Sequence, residues 1–180
     1  MSTLSRRSTL AALACLPFST FAQTSPQPSE LSALPGARLR GQGRLTFLGL
    51  NVYSAKLWVT DSFKPDDFIS HPVALELEYA RSLVGSLIAE RSLTEMKRVG
   101  EVPAEKAEPW LAAMTQLFPD VNKGDRITGL HQPGEGMRFF FNGKPRGDVR
   151  DAAFARLFTG IWLSPRTSEP KLRQALLGSA

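Results

Sequence analysis

Two stretches of this chain, 38–80 and 125–149, alternate polar and apolar side chains, whereas the segments between and after them repeat apolar residues every three or four positions. Successive strand residues face opposite sides and helical residues at i, i+3 and i+4 share a face, so the two periods decide which segments can pair and which can coil. Arg38–Leu48 alternates, Gly49 marks a turn, and Leu50–Val59 follows with Val52, Ser54, Lys56 and Trp58 on one face and Tyr53, Ala55, Leu57 and Val59 on the other. Val73–Ala80 sets Glu76 and Glu78 against Val73, Leu75, Leu77 and Tyr79, which predicts one buried and one wetter face of an antiparallel sheet. Asn142-Gly143 between Met137–Phe141 and Lys144–Val149 is a hairpin signal, because a type I′ turn needs positive φ at both positions.

The helical segments are read the same way. Leu83, Leu87 and Ile88 form one stripe, and Ser92-Leu-Thr-Glu95 resembles a capping box that renews the helix toward Met96 and Val99. Trp110, Leu111, Met114, Leu117 and Phe118 form a second stripe, with Pro109 expected to begin or kink that helix. Phe154, Leu157, Phe158 and Ile161 form a third, and Gly178 stops a last helix over Lys171–Leu177. Strands in two blocks, with helices between and after them, predict an α+β fold: a large antiparallel sheet with helices on one face.

The first 22 residues read differently. Arg6-Arg7, the apolar run Leu10–Phe18 and the small residues Thr20 and Ala22 have the order of a secretory signal peptide, with cleavage expected after Ala22. Ser5-Arg6-Arg7-Ser8 also resembles a twin-arginine export signal, general secretion being the alternative route. The apolar run is shorter than the ~20 residues a bilayer span needs, so no stable membrane span is expected. Residues 23–36, rich in proline and serine, are expected to be a flexible leader, and 37–178 the single domain. Cys15 is the only cysteine and leaves with the signal, which removes disulfides, thiol nucleophiles and thiolate ligands from the periplasmic product. The formal charge of +5 falls to +3 when Arg6 and Arg7 go, and the remaining bases are scattered among acids, so no nucleic-acid partner is expected. His71 and His131 each sit near a proline turn without a second ligand at useful spacing, so no metal is expected, and no nucleotide or cofactor fingerprint is present.

Four segments carry a resemblance: Gly41-Gln-Gly-Arg44 running into Val52–Val59, Phe118-Pro-Asp-Val-Asn-Lys-Gly-Asp125, Phe141-Asn-Gly-Lys144, and Phe154–Leu163 with Leu172–Gly178. In order and spacing they are similar to the bacterial chalcone isomerase-like family. The resemblance implies an open-faced β-sandwich with a ligand cleft between sheet and helices. Plant enzymes of that superfamily close a chalcone phenolate onto an enone, and relatives without the activity bind fatty acids in the same cleft. It also implies that Arg44, one position earlier than the enzymes' arginine, supplies a cation and that Ser54 replaces their threonine. Ile88 stands where they have a tyrosine, and Glu95 where they have an asparagine.

Read for their own chemistry, Tyr53 and Tyr79 are aromatics with a polar tip, and Arg81 ends its strand where it can supply a cation. The expected ligand-binding set is therefore Arg44, Tyr53, Ser54, Tyr79, Arg81, Ile88 and Glu95, with an amphipathic small molecule as partner: a fatty acid or a polyphenol-like carboxylate. The apolar lining is expected from the inner face of Val52–Val59 with Leu75, Leu77, Leu87, Ile88 and Phe158. Two further readings are an isomerase using Arg44 and Ser54, and an envelope accessory protein whose own partner is unknown.

Overall fold

The computed structural model describes residues 27–178, so the signal-peptide reading of 1–22 lies outside the described residues. Six strands form one antiparallel sheet in sequence order: β1 (Arg38–Phe47), β2 (Leu50–Val59), β3 (Val73–Tyr79), β4 (Arg126–Gln132), β5 (Gly136–Phe141) and β6 (Lys144–Val149). Helices α1 (Gly85–Val99) and α2 (Ala104–Leu117) leave the sheet after β3, and α3 (Ala152–Leu163) and α4 (Pro170–Leu177) follow β6. All of the expected strands and helices are present, and two short 3-10 segments, Ser29–Ala33 and Pro65–Ser70, are additional to them.

Register places Tyr53 opposite Tyr79, Ala55 opposite Leu77 and Leu57 opposite Leu75, the residues of one face. That face packs on α1 and α3 through Leu93, Met96, Phe154, Leu157 and Phe158, forming the main core. Phe154 and Phe158 stack at 5.4 Å, and Phe139 meets both edge-on from β5. The alternation of Leu50–Val59 is thus realised as read, except at Val52. The register shifts between Leu45 and Thr46 and leaves Val52 as an extra β2 residue, a bulge that re-aims its side chain.

Two local expectations change. Helix α1 runs unbroken through Ser92, whose hydroxyl donates back to the Ile88 carbonyl at 2.8 Å instead of capping a new turn. Its start is capped from a distance, by Asp120 Oδ1 accepting from the Gly85 amide at 2.8 Å. Pro109 lies inside α2, which begins earlier at Ala104.

The larger correction concerns residues 27–36, expected to be loose. Ser29–Ala33 is a 3-10 turn laid on the sheet's second face, burying Leu31 and Leu34 against Trp58, Ala74, Leu130 and Phe140. Glu30 is buried with it, accepting from Thr128 Oγ1 at 2.7 Å and pairing with Arg126 at 3.2 Å. The face carrying Glu76 is consequently not wet there. Glu76 is 1% exposed, accepts from Trp58 Nε1 at 3.0 Å and pairs with Lys56 at 3.4 Å. A short segment with two leucines three apart can cover a sheet face, although its proline and serine content reads as linker.

Candidate functional site

Tight packing between sheet and helices does not extend to the end where β1 and β2 turn. There a cavity of about 350 Å³ opens, floored by Tyr53, Leu77, Tyr79 and Ile127 and roofed by Ile88 and Glu95 of α1 and Phe158 and Trp162 of α3. Leu45, Phe47, Val84 and Leu87 surround its mouth with Arg81 and Arg91. Ala55, Leu57, Val59 and Leu75, expected in the lining, instead fill the packed core beyond it. Large side chains from α2 and α3 fill that end, including Met114, Phe154 and Leu157.

Of the seven candidate site residues, Tyr53, Tyr79, Arg81, Ile88 and Glu95 meet around this cavity. Arg44 and Ser54 do not. They pair with one another across β1 and β2 one residue out of phase with Tyr53, so their side chains lie on the opposite face of the sheet. Arg44 and Ser54 therefore do not reach this cavity. Gly41-x-Gly43 before Arg44 has a packing reason: a Cβ at Gly41 would fall 2.2 Å from the Ala175 carbonyl, and one at Gly43 2.6 Å from a Leu172 methyl. The two glycines let α4 lie against β1.

The polar groups of the cavity differ in how well they are satisfied. Trp162 Nε1 donates to the Tyr53 hydroxyl at 3.0 Å. Burial pushes the phenols of Tyr53 and Tyr79 well above their ordinary range, so both stay neutral hydrogen-bond donors across physiological pH. Their rings meet edge-on at 6.0 Å. The Tyr79 hydroxyl has no hydrogen-bond partner among the described residues. Glu95 is 6% exposed and flanked on its own helix by Arg91 at 2.7 Å and Arg98 at 3.3 Å. The Arg91 contact is short but poorly aligned, which leaves Glu95 Oε1 without a directed donor. Arg81 makes no salt bridge among the described residues and is the lining cation free to meet an anion.

Sequence reasoning missed Arg91, Leu45 and Phe47; the spacing of Phe154, Phe158 and Trp162 does mark Trp162 as core or cleft wall, but not its bond to Tyr53. Arg91 was within reach of such reasoning, since Arg91 and Glu95 stand at i and i+4 and Arg98 three residues on. The Trp162–Tyr53 bond joins residues 109 apart and leaves no local signal. Among the described residues no cluster of His, Cys, Asp or Glu is arranged to hold a metal, and no helix is long and apolar enough to cross a membrane.

Comparison with known proteins agrees with this architecture. A crystal structure of a fatty-acid binding protein of Arabidopsis thaliana superposes with a TM-score of 0.64 at 14% identity, covering 81% of this chain and 88% of that one. An uncharacterised protein of Haemophilus influenzae is 27% identical over 150 residues, 82% of this chain and 72% of its own length. The sequence profile of chalcone isomerase-like proteins matches residues 33–178. With that match spanning nearly all of the described structure, the chain belongs to the chalcone isomerase-like family.

Proposed function

We propose that this domain holds an amphipathic small molecule with an anionic head and an apolar tail, of the fatty-acid kind, and does not cyclise chalcones. One observation carries the reading: a largely apolar cavity whose rim presents an arginine, Arg81, with no acidic partner among the described residues. Its ~350 Å³ lies at the lower end of the range for small-molecule sites, so a long tail would extend through the mouth. The free Tyr79 hydroxyl supplies a neutral donor inside. The fatty-acid binding protein of Arabidopsis, alike in fold, supports the ligand class.

The absence of cyclisation is motivated by Ile88, an aliphatic wall where the superfamily's enzymes have a phenol, and by Arg44 and Ser54 lying across the sheet. Losing one donor of that type slows such a reaction about 100- to 1000-fold. Native mass spectrometry of protein purified from its host should find a co-purifying amphipath. Arg81→Ala should weaken binding of a fatty acid by at least about 1.5 kcal/mol without unfolding the domain. Unchanged affinity in that variant, or no binding by the parent, would sink the binding reading; stereoselective flavanone production would sink the other half and point to Tyr79 as donor.

The place of action is part of the same proposal. Arg6-Arg7 and Thr20-Phe-Ala22 support export to the periplasm with a mature terminus at Gln23. N-terminal sequencing checks this, and recovery of Met1 or Ser2 from cytoplasmic protein overturns it. Changing Arg6 and Arg7 to lysine should stop twin-arginine export and spare general secretion.

A further inference from the structure

Two hairpins of this sheet turn through the same backbone geometry with different residues. Asn142 and Gly143 join β5 to β6 at φ of 49° and 80°, and Leu48 and Gly49 join β1 to β2 at 50° and 77°. Asparagine suits the left-handed position, and Asn142 also accepts from the Arg126 amide at 2.8 Å and donates to Asp125 at 2.9 Å. Leucine suits neither requirement. Its Cβ crowds the following carbonyl in that conformation, and the side chain here is 86% exposed. Phe47 and Leu50 beside it are 63% and 55% exposed. Folding gains nothing from three large apolar side chains held in water on a strained turn.

The surroundings say what would cover them. From Leu45 to Ala55 the hairpin carries no charge, and from Arg38 to Val59 it carries Arg38, Arg40, Arg44 and Lys56 with no acidic residue. Arg38 pairs with Asp61 and Lys56 with Glu76, while Arg40 and Arg44 make no salt bridge among the described residues. Arg44 stands four residues behind Leu48, roughly 13 Å along the strand. Leu45 and Phe47 belong to the cavity mouth, and facing them across it are the exposed Val84 and Leu87 at the start of α1.

We propose that this rim docks on an anionic phospholipid surface, the Phe47–Leu50 tip entering the acyl boundary and Arg44 remaining at the headgroups, so that the cavity opens directly onto lipid. Amphipathic elements seat their apolar faces about 5–10 Å into that boundary, less than the setback of Arg44 from the tip, so the guanidinium stays at the headgroup level. The inference rests on the amphipathic-ligand reading and adds the source of the ligand: an amphipath exchanged at a membrane surface need not cross water. Within the hairpin the apolar tip is backed only by cations, which favours this partner over a second copy of the chain, whose own Arg40 and Arg44 would come against them.

The test uses residues outside the cavity lining. Protein purified from its host is sedimented with phosphatidylcholine vesicles, with and without phosphatidylglycerol. The parent should bind the anionic vesicles, and Leu48→Asn with Leu50→Thr should weaken that binding by about tenfold or more. Arg44→Glu should remove the preference for phosphatidylglycerol. Because Leu48→Asn installs the residue favoured by the turn, thermal melting should show a fold at least as stable as the parent. Fatty-acid affinity in solution should be unchanged, which separates failure of docking from failure of the ligand reading. Equal sedimentation of parent and double variant, or no sedimentation of the parent, overturns the proposal; so does a concentration-dependent dimer that the double variant abolishes.

Discussion

At the scale of single residues, the cavity wall depends on groups satisfied from far along the chain. Tyr53 on β2 receives the Trp162 indole hydrogen from α3, and both side chains line the cavity. Tyr53→Phe leaves that hydrogen without an acceptor, and urea titration at neutral pH should show a loss of about 1 kcal/mol. The phenol also ties stability to pH. Burial raises its folded pKa above the unfolded value of about 10, so its contribution is complete below that pH and declines as pH rises beyond it. Tyr53→Phe should therefore flatten the alkaline limb of a melting-temperature profile, leaving what Tyr79 contributes through the same effect. An unchanged limb would mean that neither its burial nor its bond matters energetically.

Individual elements are held in place by a few contacts of identifiable kind. Helix α3 begins at Asp151, whose Oδ1 accepts from the Ala153 and Phe154 amides at 2.9 and 3.2 Å, while Oδ2 takes Lys106 at 2.8 Å and Trp110 at 3.2 Å. Burial alone would raise this carboxyl, but those four donors outweigh it and hold the pKa below the usual range. A depressed folded pKa gives stability that is present above the unfolded value near 4 and lost as pH falls through the folded one. Asp151→Ala should cost about 1–2 kcal/mol at pH 7 by chemical denaturation, and the gap from the parent should narrow below about pH 4. Helix α4 depends on bareness instead of a bond. At Gly41 an added methyl would meet the Ala175 and Leu176 backbone within 2.5 Å, which no rotamer change relieves. Gly41→Ala should cost about 1–3 kcal/mol, with hydrogen exchange rising first in Pro170–Leu177.

For the whole molecule the decisive feature is that both faces of the sheet are covered, by unlike means. Helices bury one face with aromatic and aliphatic side chains, and the Gln27–Ala37 segment covers part of the other with two leucines and a charged network. In that network Arg126 stands between Glu30 at 3.2 Å and Glu76 at 3.6 Å, and Lys56 balances the second acid. A chain truncated to begin at residue 37 loses Leu31, Leu34 and the Glu30 carboxylate together, and should be destabilised by at least about 3 kcal/mol. Tryptophan fluorescence should shift to the red as Trp58 meets water. A truncated chain as stable as the parent would return the segment to the status of a leader.

What the sequence determined by itself is the part governed by short-range periodicity. Alternation at 50–59 and 73–79, the Asn142-Gly143 turn and the helical stripes fixed the elements, the α+β class and the face to which Tyr53, Tyr79, Leu77 and Ile88 belong, because each depends on residues a few positions apart. Sheet faces follow from register, and one residue of phase separates the cavity from open solvent; resemblance to an enzyme motif set Arg44 and Ser54 on the wrong side of that line. Only the tertiary structure decided that Gly41 and Gly43 serve α4, that residues 28–34 close the second face and that Trp162 reaches Tyr53. The position of the cavity belongs with these. It lies where the helices stop filling the sheet, and that depends on the summed volumes of side chains from α1, α2 and α3 meeting in space, a quantity no local pattern records.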